Sequence, residues 1–290
     1  MYGCHSMFAK LESVIIKRPQ DAFIGQQNLA NRWQAYNYTA CPDYEKTLLE
    51  YAHFEQVLKQ HVAKIYYLPC HEKAGLDSIY THDPVKITRR GAILMNMTKP
   101  LRTDEPQVLQ VWLAQIGIPV LGKIEAPGRM EGGDIVWLNE RTLAVGRGYR
   151  TNAEGIRQLK VLIADMVDRF IEVPLPHADG PEACLHLMSL ISLLDRDLAV
   201  VYSRYLPAFF RQILIAMGIE LIEVPDDEYE RLGTNVLALA PRLCLYLNSN
   251  PETLAKMTLA GAQVYTYPAK EISLKGSGGP TCLTCPVLRK

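Results

Sequence analysis

The sequence predicts a mixed α/β fold in which pairs of short strands are punctuated by single helices. Short runs rich in Val, Ile, Leu and Tyr recur along the chain, with Pro, Gly or Asn at their edges, as is typical of strands. Amphipathic helical stretches lie between some of these runs. Strands outnumber helices and the order is not a strict βαβα alternation, which disfavours a parallel doubly wound sheet. Repeated ββαβ-like modules in a closed radial arrangement fit better, although no internal repeat is evident.

The individual elements follow from these patterns. The predicted strands are Ser13–Lys17, Ala63–Leu68, Val85–Thr88, Ala92–Asn96, Ile135–Leu138, Leu143–Gly146, Leu198–Ser203, Ile219–Val224, Val236–Ala240, Leu243–Leu247 and Gln263–Tyr267. The predicted helices are Lys46–Gln60, Glu105–Ile116, Ala153–Met166, Ala183–Leu194, Leu206–Met217 and Glu252–Ala260. No linker rich in Pro, Gly or Ser divides the chain, so residues 1–290 are expected to form a single domain.

Composition excludes several classes of protein. The chain has 290 residues, 48% hydrophobic and 21% charged, which is typical of a globular protein. With 31 basic and 31 acidic residues the net charge is zero, so there is no basic surplus to favour nucleic acid as a partner. No apolar stretch has the length of a membrane span, and no signal peptide is evident. We therefore expect a cytoplasmic protein with no membrane partner. Its oligomeric state, including a homo-oligomer, is left open.

The segment Lys275-Gly-Ser-Gly-Gly-Pro-Thr-Cys282-Leu-Thr-Cys285 is the first with potential for chemistry. A glycine-rich turn allows a close approach of ligand to backbone, and a cysteine that follows it is a candidate nucleophile. A redox CxxC, half of a zinc site, and a loop with two incidental thiols are the alternatives. No second ligand pair has the spacing of a zinc site, and the seven cysteines are scattered and odd in number, unlike a disulfide framework.

Acidic motifs supply candidate partners for a cation. Glu131-Gly-Gly-Asp134 places two acids around two glycines just before a strand, and Asp77 and Asp83 flank Tyr80 and His82. In an extended segment, alternation would place Asp77 and Asp83 on one side and Tyr80 and His82 on the other. A planar guanidinium is well matched by a carboxylate that accepts two hydrogen bonds. Turns with solvated acids are the structural alternative.

A histidine and two arginines complete the set of candidates. His186 enters an apolar run and is either a core residue or a general acid and base. Arg102, in Lys-Pro-Leu-Arg, and Arg150, in Gly-Tyr-Arg-Thr-Asn, are suited to bind a carboxylate, or are ordinary surface residues.

Taken in order, these motifs resemble the guanidino-group-modifying superfamily, also called the pentein fold. It includes dimethylarginine dimethylaminohydrolases, arginine deiminases and amidinotransferases. The matching segments, in chain order, are DSIYTHDP, KPLR, EGGDI, GRGYRTN, CLHLM and GGPTCLTCP, and the resemblance runs from about residue 13 to residue 288, nearly the whole chain. The resemblance implies a five-bladed α/β propeller with pseudo-fivefold symmetry and one central site.

The resemblance also implies roles for individual residues. Cys282 is expected to be the nucleophile, His186 the general acid and base, and Asp83 and Glu131 the carboxylates that hold the guanidinium. Arg102 and Arg150 are expected near the substrate α-carboxylate. Asp77 is expected near the α-amino group, and Tyr80 is expected to line the binding site. No metal and no cofactor are expected; the partner is a small guanidino substrate.

Two departures from the family patterns bear on the subfamily and point in opposite directions. Met188 stands where arginine deiminases tend to have an acid two residues after the histidine, which argues against a standard deiminase. His82 stands where dimethylarginine hydrolases often have an acid, although the favoured activity is still dimethylarginine hydrolysis through a covalent thiouronium on Cys282. Arginine deimination or dihydrolysis, amidino transfer and a catalytically silent binding propeller are the alternatives. Residues Phe23–Trp33 are expected to form a lid, and the role of Asn235 is left open.

Overall fold

A computed structural model describes residues 1–183 and 185–290. Cys184, which falls within one predicted helix, lies outside the described residues. The described strands are β1 (Leu11–Ile16), β2 (Lys64–Tyr67), β3 (Val85–Thr88), β4 (Gly91–Leu94), β5 (Val120–Lys123), β6 (Ile135–Asn139), β7 (Thr142–Arg147), β8 (Arg169–Pro174), β9 (Ile191–Asp195), β10 (Leu198–Val201), β11 (Glu220–Glu223), β12 (Leu237–Ala240), β13 (Leu243–Leu247), β14 (Gln263–Tyr267) and β15 (Cys285–Arg289).

The α-helices differ widely in length. They are α1 (Pro19–Ala22), α2 (Gln26–Arg32), α3 (Tyr44–His61), α4 (Glu105–Gln115), α5 (Ala153–Leu162), α6 (Ala208–Ala216), α7 (Asp226–Tyr229) and α8 (Pro251–Leu259). The longest, α3, begins where the side chain of Asp43 accepts a hydrogen bond from the backbone of Lys46, and α5 begins in the same way at Asn152. Across residues 1–183 and 185–290, no helix is both long enough and apolar enough to cross a membrane.

Strand pairing repeats one pattern five times in the described chain. The sheets have the orders β15-β1-β2, β3-β4-β5, β6-β7-β8, β11-β10-β9 and β12-β13-β14. In each, the central strand pairs antiparallel with one neighbour and parallel with the other. A helical connection joins the two parallel strands of every module: α1, α2 and α3 lie between β1 and β2, and a single α-helix (α4, α5, α6 or α8) lies in each of the other four connections. The predicted ββαβ modules are confirmed, and one module is assembled from both ends of the chain because β15 pairs with β1.

Burial explains why the central strands have continuous apolar sequences. All four residues of β4 and of β10 are buried, so both faces of these strands are covered. Strand β9 is equally apolar, with four of its five residues buried. A short apolar run of this kind has the same composition as a buried helix, and periodicity alone does not separate the two.

The structure differs from the predicted elements in several places, mainly where a strand is short, contains proline or has the composition of a buried helix. The predicted helix Ala183–Leu194 is wrong: the described residues form a short 3-10 turn, Leu187–Ser189, followed by β9. Strands β5, β8 and β15 were missed, being short or containing proline. The predicted lid Phe23–Trp33 is largely the helix α2, and it is Asn37, beyond it, that reaches the central cavity.

Candidate active site

A single position in each module supplies a polar side chain to the centre of the molecule. Asp83, Glu131, His186, Asn235 and Cys282 each lie two to five residues before the strand that pairs antiparallel with the central strand of its sheet, namely β3, β6, β9, β12 and β15. Equivalent positions in a radial arrangement converge on one point. The five residues line one or both of two adjoining cavities. Four of them were predicted from motifs; Asn235 has the same position in its module, a regularity visible only once the strands are assigned.

The two cavities meet at the predicted reacting residues. The inner cavity, about 180 Å³, is lined by Asn37, Asp77, Tyr80, Asp83, Lys99, Arg102, Glu131, Arg150, Glu182, Ala183, His186, Gly276, Ser277, Gly278 and Cys282. The outer cavity, about 360 Å³, has walls that include Met188, Ser189, Tyr229, Leu232, Thr234 and Asn235. Asp83, His186 and Cys282 line both. A molecule bound across the junction would contact all three side chains.

Cys282 lies in the turn before β15 and is partly exposed to the cavities. Nδ2 of Asn235 donates a hydrogen bond to its Sγ at 3.3 Å. The orientation of the Asn235 amide is set by Oδ1, which accepts from the backbone N–H and the hydroxyl of Thr281 at 3.1 and 2.7 Å. Gly279 allows this approach, since a Cβ there would lie 2.4 Å from Cγ of Asn235. The turn and Asn235 therefore fix the sulfur in place and present it with a donor.

His186 is paired with Glu131. Nε2 of His186 lies 2.8 Å from Oε2 of Glu131, and both side chains are almost fully buried. A Cβ on Gly133 would be 2.5 Å from Nδ1 of His186, so the glycine-rich segment after Glu131 makes room for the ring. Burial raises the pKa of Glu131, but the hydrogen bond and charge of His186 outweigh it and lower that pKa overall. Glu131 is held as a carboxylate, which suits it to stabilise a protonated imidazole or a cation.

Asp83 is held by Arg102 and by the segment after Glu131. Its Oδ2 accepts from Nη1 of Arg102 at 2.8 Å, and Oδ1 accepts from the backbone N–H of Gly133 at 3.1 Å. Burial raises its pKa, but the charges of His186 and Arg102 dominate and hold it well below the ordinary range. Asp83 is thus an anionic carboxylate in a buried site, as binding of a guanidinium requires.

The guanidinium of Arg102 forms its hydrogen bonds with other residues of the protein. Besides Asp83, it donates to both carboxylate oxygens of Glu105 and to the carbonyl of Tyr80. Burial raises the pKa of Glu105 to about 7, against the opposing charge of Arg102. Arg102 lines the inner cavity, but its described partners indicate that it orients Asp83. Its expected place at the substrate carboxylate stays a prediction.

The far end of the inner cavity carries both signs of charge and has unused hydrogen-bonding atoms. Oδ2 of Asp77 pairs with Nζ of Lys99 at 3.1 Å, while its Oδ1 is buried without a partner among the described residues. Nη1 of Arg150 lies 3.8 Å from Glu131, and Nε of Arg150 is also buried and unpartnered within the described chain. Such atoms are costly unless a ligand satisfies them. A carboxylate acceptor and a guanidinium donor that line one cavity match the ammonium and the carboxylate of an amino acid.

The expected alternation along residues 77–83 was wrong. Leu76–Ile79 is a 3-10 turn, not an extended segment. In such a turn side chains three residues apart lie on the same side, and Asp77, Tyr80 and Asp83 all line the inner cavity. Tyr80 is buried, donates to the carbonyl of Ile272 at 3.0 Å, and packs against Gly276 and Gly278.

His82 points the other way, beneath the turn that carries Cys282. Its backbone N–H donates to the carbonyl of Cys282, and its Nδ1 lies 2.9 Å from the carbonyl of Thr284. Nδ1 is therefore the protonated nitrogen, and Nε2 accepts from the buried ammonium of Lys86. Burial lowers the pKa of His82 to about 3 and that of Lys86 to about 8.

Within residues 1–183 and 185–290, no group of three or more His, Cys, Asp or Glu side chains is arranged to hold a metal ion.

Comparison with known proteins places this geometry in a family. The arginine deiminase family model matches residues 77–208 and 203–289. The uncharacterized protein YkgA of Bacillus subtilis (strain 168) is 25% identical over 287 residues, 99% of this chain and 95% of that one. The N(G),N(G)-dimethylarginine dimethylaminohydrolase of Pseudomonas aeruginosa is 26% identical over 245 residues, 84% of this chain and 89% of that protein. The arginine deiminase of Mycobacterium avium is 28% identical over 190 residues, and the chain spans only 46% of its length.

Solved structures share the fold. The Pseudomonas aeruginosa enzyme in complex with citrulline has a TM-score of 0.75 at 23% identity, covering 96% of this chain and all of that one. The N-terminal domain of ArgZ, a cyanobacterial arginine dihydrolase, has a TM-score of 0.79 at 18% identity, covering 96% of this chain and 97% of that one. The predicted five-bladed α/β propeller is confirmed. The chain belongs to the arginine deiminase family, a group of hydrolases that act on the C–N bonds of guanidino compounds within the pentein superfamily.

Proposed function

We propose that the protein hydrolyses an Nω-methylated arginine to citrulline and an amine, with Cys282 as the nucleophile. The observation that carries this proposal is the convergence of two anionic carboxylates, Asp83 and Glu131, with His186 and Cys282 on one cavity. The organisation of residues 1–290 as one catalytic domain is part of the proposal, because residues from all five modules contribute to the two adjoining cavities.

Substrate orientation follows from the charges of the inner cavity. The α-ammonium group is expected at Asp77 and the α-carboxylate at Arg150, since each has an unused buried atom. The guanidinium then lies between Asp83 and Glu131. Bound in this way, its carbon is held near the sulfur, and the entropic cost of bringing the reactants together is met by binding.

The reaction proceeds in two stages. The Cys282 thiolate forms a bond to the guanidino carbon, and His186 donates a proton to the nitrogen that departs as the amine. The remaining species is a thiouronium, a positively charged S–C bond intermediate that Glu131 and Asp83 stabilise by charge. His186 then takes a proton from water, the hydroxide oxygen bonds to the same carbon, and the S–C bond breaks to release citrulline and the thiolate.

Met188 favours a methylated over an unmethylated guanidinium. It is buried, lies two residues after His186, and forms part of the outer cavity wall. An unsubstituted terminal nitrogen presented to a thioether loses hydrogen bonds that water would supply. A methylated nitrogen has fewer such bonds to lose and gains apolar contact.

Arginine deimination is the second candidate, because the matching family model is that of arginine deiminase. It differs from the first proposal in the product amine, ammonia, and in the need to satisfy both hydrogens of the terminal nitrogen. Met188 offers no acceptor of the required strength, which places this candidate second.

Parallel assays of the purified protein distinguish the two. Asymmetric dimethylarginine and arginine are supplied separately, and citrulline is measured by a colorimetric assay. Citrulline from dimethylarginine, with at most a hundredth of that rate from arginine, is the expected result. A higher rate from arginine would move the assignment to deiminase, and the absence of citrulline from both would refute the hydrolase proposal for these substrates.

A further inference from the structure

The outer cavity has no part in binding the amino-acid end of the substrate, yet it is the larger of the two cavities. Its volume is about 360 Å³, against about 180 Å³ for the inner cavity. The two share Asp83, His186 and Cys282, so the outer cavity begins at the reacting atoms. Space of this size beside the reacting atoms exceeds what two methyl groups or one water molecule require.

The walls of the two cavities differ in chemistry. The inner cavity has charged groups on several sides, including Asp77, Lys99 and Arg150. The outer cavity wall beyond the shared residues includes Met188, Leu232 and Thr234. The hydroxyl of Thr234 is already used, donating to the carbonyl of Ser189 at 2.7 Å. Carboxylates enter the outer wall at Asp179 and Glu230, both of which are exposed to solvent.

The orientation of the bound substrate determines which of its atoms faces the outer cavity. This step rests on the proposed function. With the amino-acid end in the inner cavity and the guanidino carbon at Cys282, the nitrogen distal to the amino-acid end points to the junction. A substituent on that nitrogen therefore extends into the outer cavity. His186, which donates the proton to the departing amine, also lines this cavity.

We propose that the outer cavity binds the alkyl substituent of the departing nitrogen, and that the substrate class includes Nω-alkylarginines with groups larger than methyl. The bond from the guanidino carbon to the alkylated nitrogen breaks, and the proton from His186 leaves with the alkylamine. The products are citrulline and a primary alkylamine of the same chain length. Met188 and Leu232 provide the apolar contacts that favour such a group.

The experiment compares Nω-methylarginine with Nω-propylarginine, measuring kcat/KM from citrulline release and identifying the amine by mass spectrometry. The expected result is a propyl value within about tenfold of the methyl value or above it, because the outer cavity has room for the two added methylenes and buries them against apolar side chains. Turnover of the methyl compound without the propyl compound would overturn the inference and leave the proposed function intact. No citrulline from either would overturn both.

Variants of Leu232 locate the binding site for the substituent. Leu232→Trp fills the outer cavity and is expected to lower the propyl-to-methyl ratio of kcat/KM by at least about tenfold. Leu232→Ala removes the apolar contact without filling the cavity and is expected to lower that ratio by a smaller factor, which keeps the test decisive if the tryptophan variant folds poorly. Leu259→Trp is the matched control, since Leu259 is 88% exposed at the end of α8, and the ratio is expected to stay constant. Equal ratios in all three variants would contradict the assignment.

Discussion

Cys282 and Cys285 lie three residues apart in the same short segment and have opposite environments. Cys282 is partly exposed, lines both cavities, and accepts a hydrogen bond from Asn235. Cys285 is 2% exposed and lies in β15 among apolar neighbours such as Ile15 and Val85. Burial raises the pKa of its thiol to about 12. The start of β15 separates a thiol suited to attack from one suited to packing.

This difference shows that the spacing of two cysteines does not determine their chemistry. The CxxC pattern is compatible with a redox pair, but the second cysteine belongs to a strand that closes a sheet. Thiol reactivity depends on access and on nearby charge, and both differ across the turn. Substitutions of the two cysteines and of the residues around them test this difference in thiol reactivity.

Replacing Cys282 and Cys285 one at a time by serine is expected to give the largest difference in kcat. Cys282→Ser is expected to lower kcat by at least about a thousandfold, because a serine hydroxyl is a far weaker nucleophile without a strong base. Cys285→Ser is expected to leave kcat within about threefold and to cost stability instead, since it places a hydroxyl in an apolar cluster. The measurements are steady-state kinetics and thermal unfolding. Comparable losses of kcat in both variants would contradict the separation.

The carboxylates beside His186 provide the next contrast. Glu131→Gln removes the charge that supports both His186 and the guanidinium, and kcat/KM is expected to fall about a hundredfold. Asp134→Asn is the control. Asp134 is buried with its pKa raised to about 6 by burial, and it holds the N–H of Leu187 and the hydroxyl of Thr151 without lining either cavity. Its loss is expected to reduce activity less and stability more. The reverse order would show that Asp134, not Glu131, is the functional acid.

The smallest expected effect comes from Lys86, which lies beneath the turn that carries Cys282. Lys86 is partly buried, contacts His82, and interacts electrostatically with both Cys282 and Cys285. Lys86→Met removes that positive charge, so Cys282 is expected to react about tenfold more slowly with iodoacetamide at neutral pH, with the midpoint of the pH profile moved upward. Lys123→Met is the control, because Lys123 is exposed and distant from the site. An unchanged pH profile would show that Lys86 only supports packing.

Much of the site could be predicted from sequence because its residues lie in short motifs. Asp83, Glu131, His186 and Cys282 each adjoin glycine, proline or an apolar run that marks the start of a strand. Asn235 also precedes a predicted strand, Val236–Ala240, but its role stayed open because its contact with Cys282 depends on two modules meeting in space. The 3-10 turn at residues 76–79 could not be distinguished from an extended segment, because neither has a distinctive pattern over four residues.

Long-range pairing was the other part that local patterns could not reveal. Strand β9 was predicted as part of a helix because residues 183–194 resemble an amphipathic helical stretch, and its identity as a strand follows from pairing with β10. Strand β15 contains a proline and was not predicted at all, since its stability comes from pairing with β1 at the other end of the chain. The outer cavity likewise depends on segments far apart in sequence, including Met188 and Leu232.

The pairing of β15 with β1 has a consequence for the order in which the protein becomes active during synthesis. Cys282 directly precedes β15, and β15 completes the sheet begun by β1 and β2. On a ribosome, four modules can gain their strands before residues 285–289 emerge, but the first sheet lacks its third strand until then. Cys282, the proposed nucleophile, is thus made after the strands of those four modules, and it reaches its place only when β15 pairs with β1. Before β15 pairs with β1, a nascent chain therefore lacks the assembled site on which the proposed function depends.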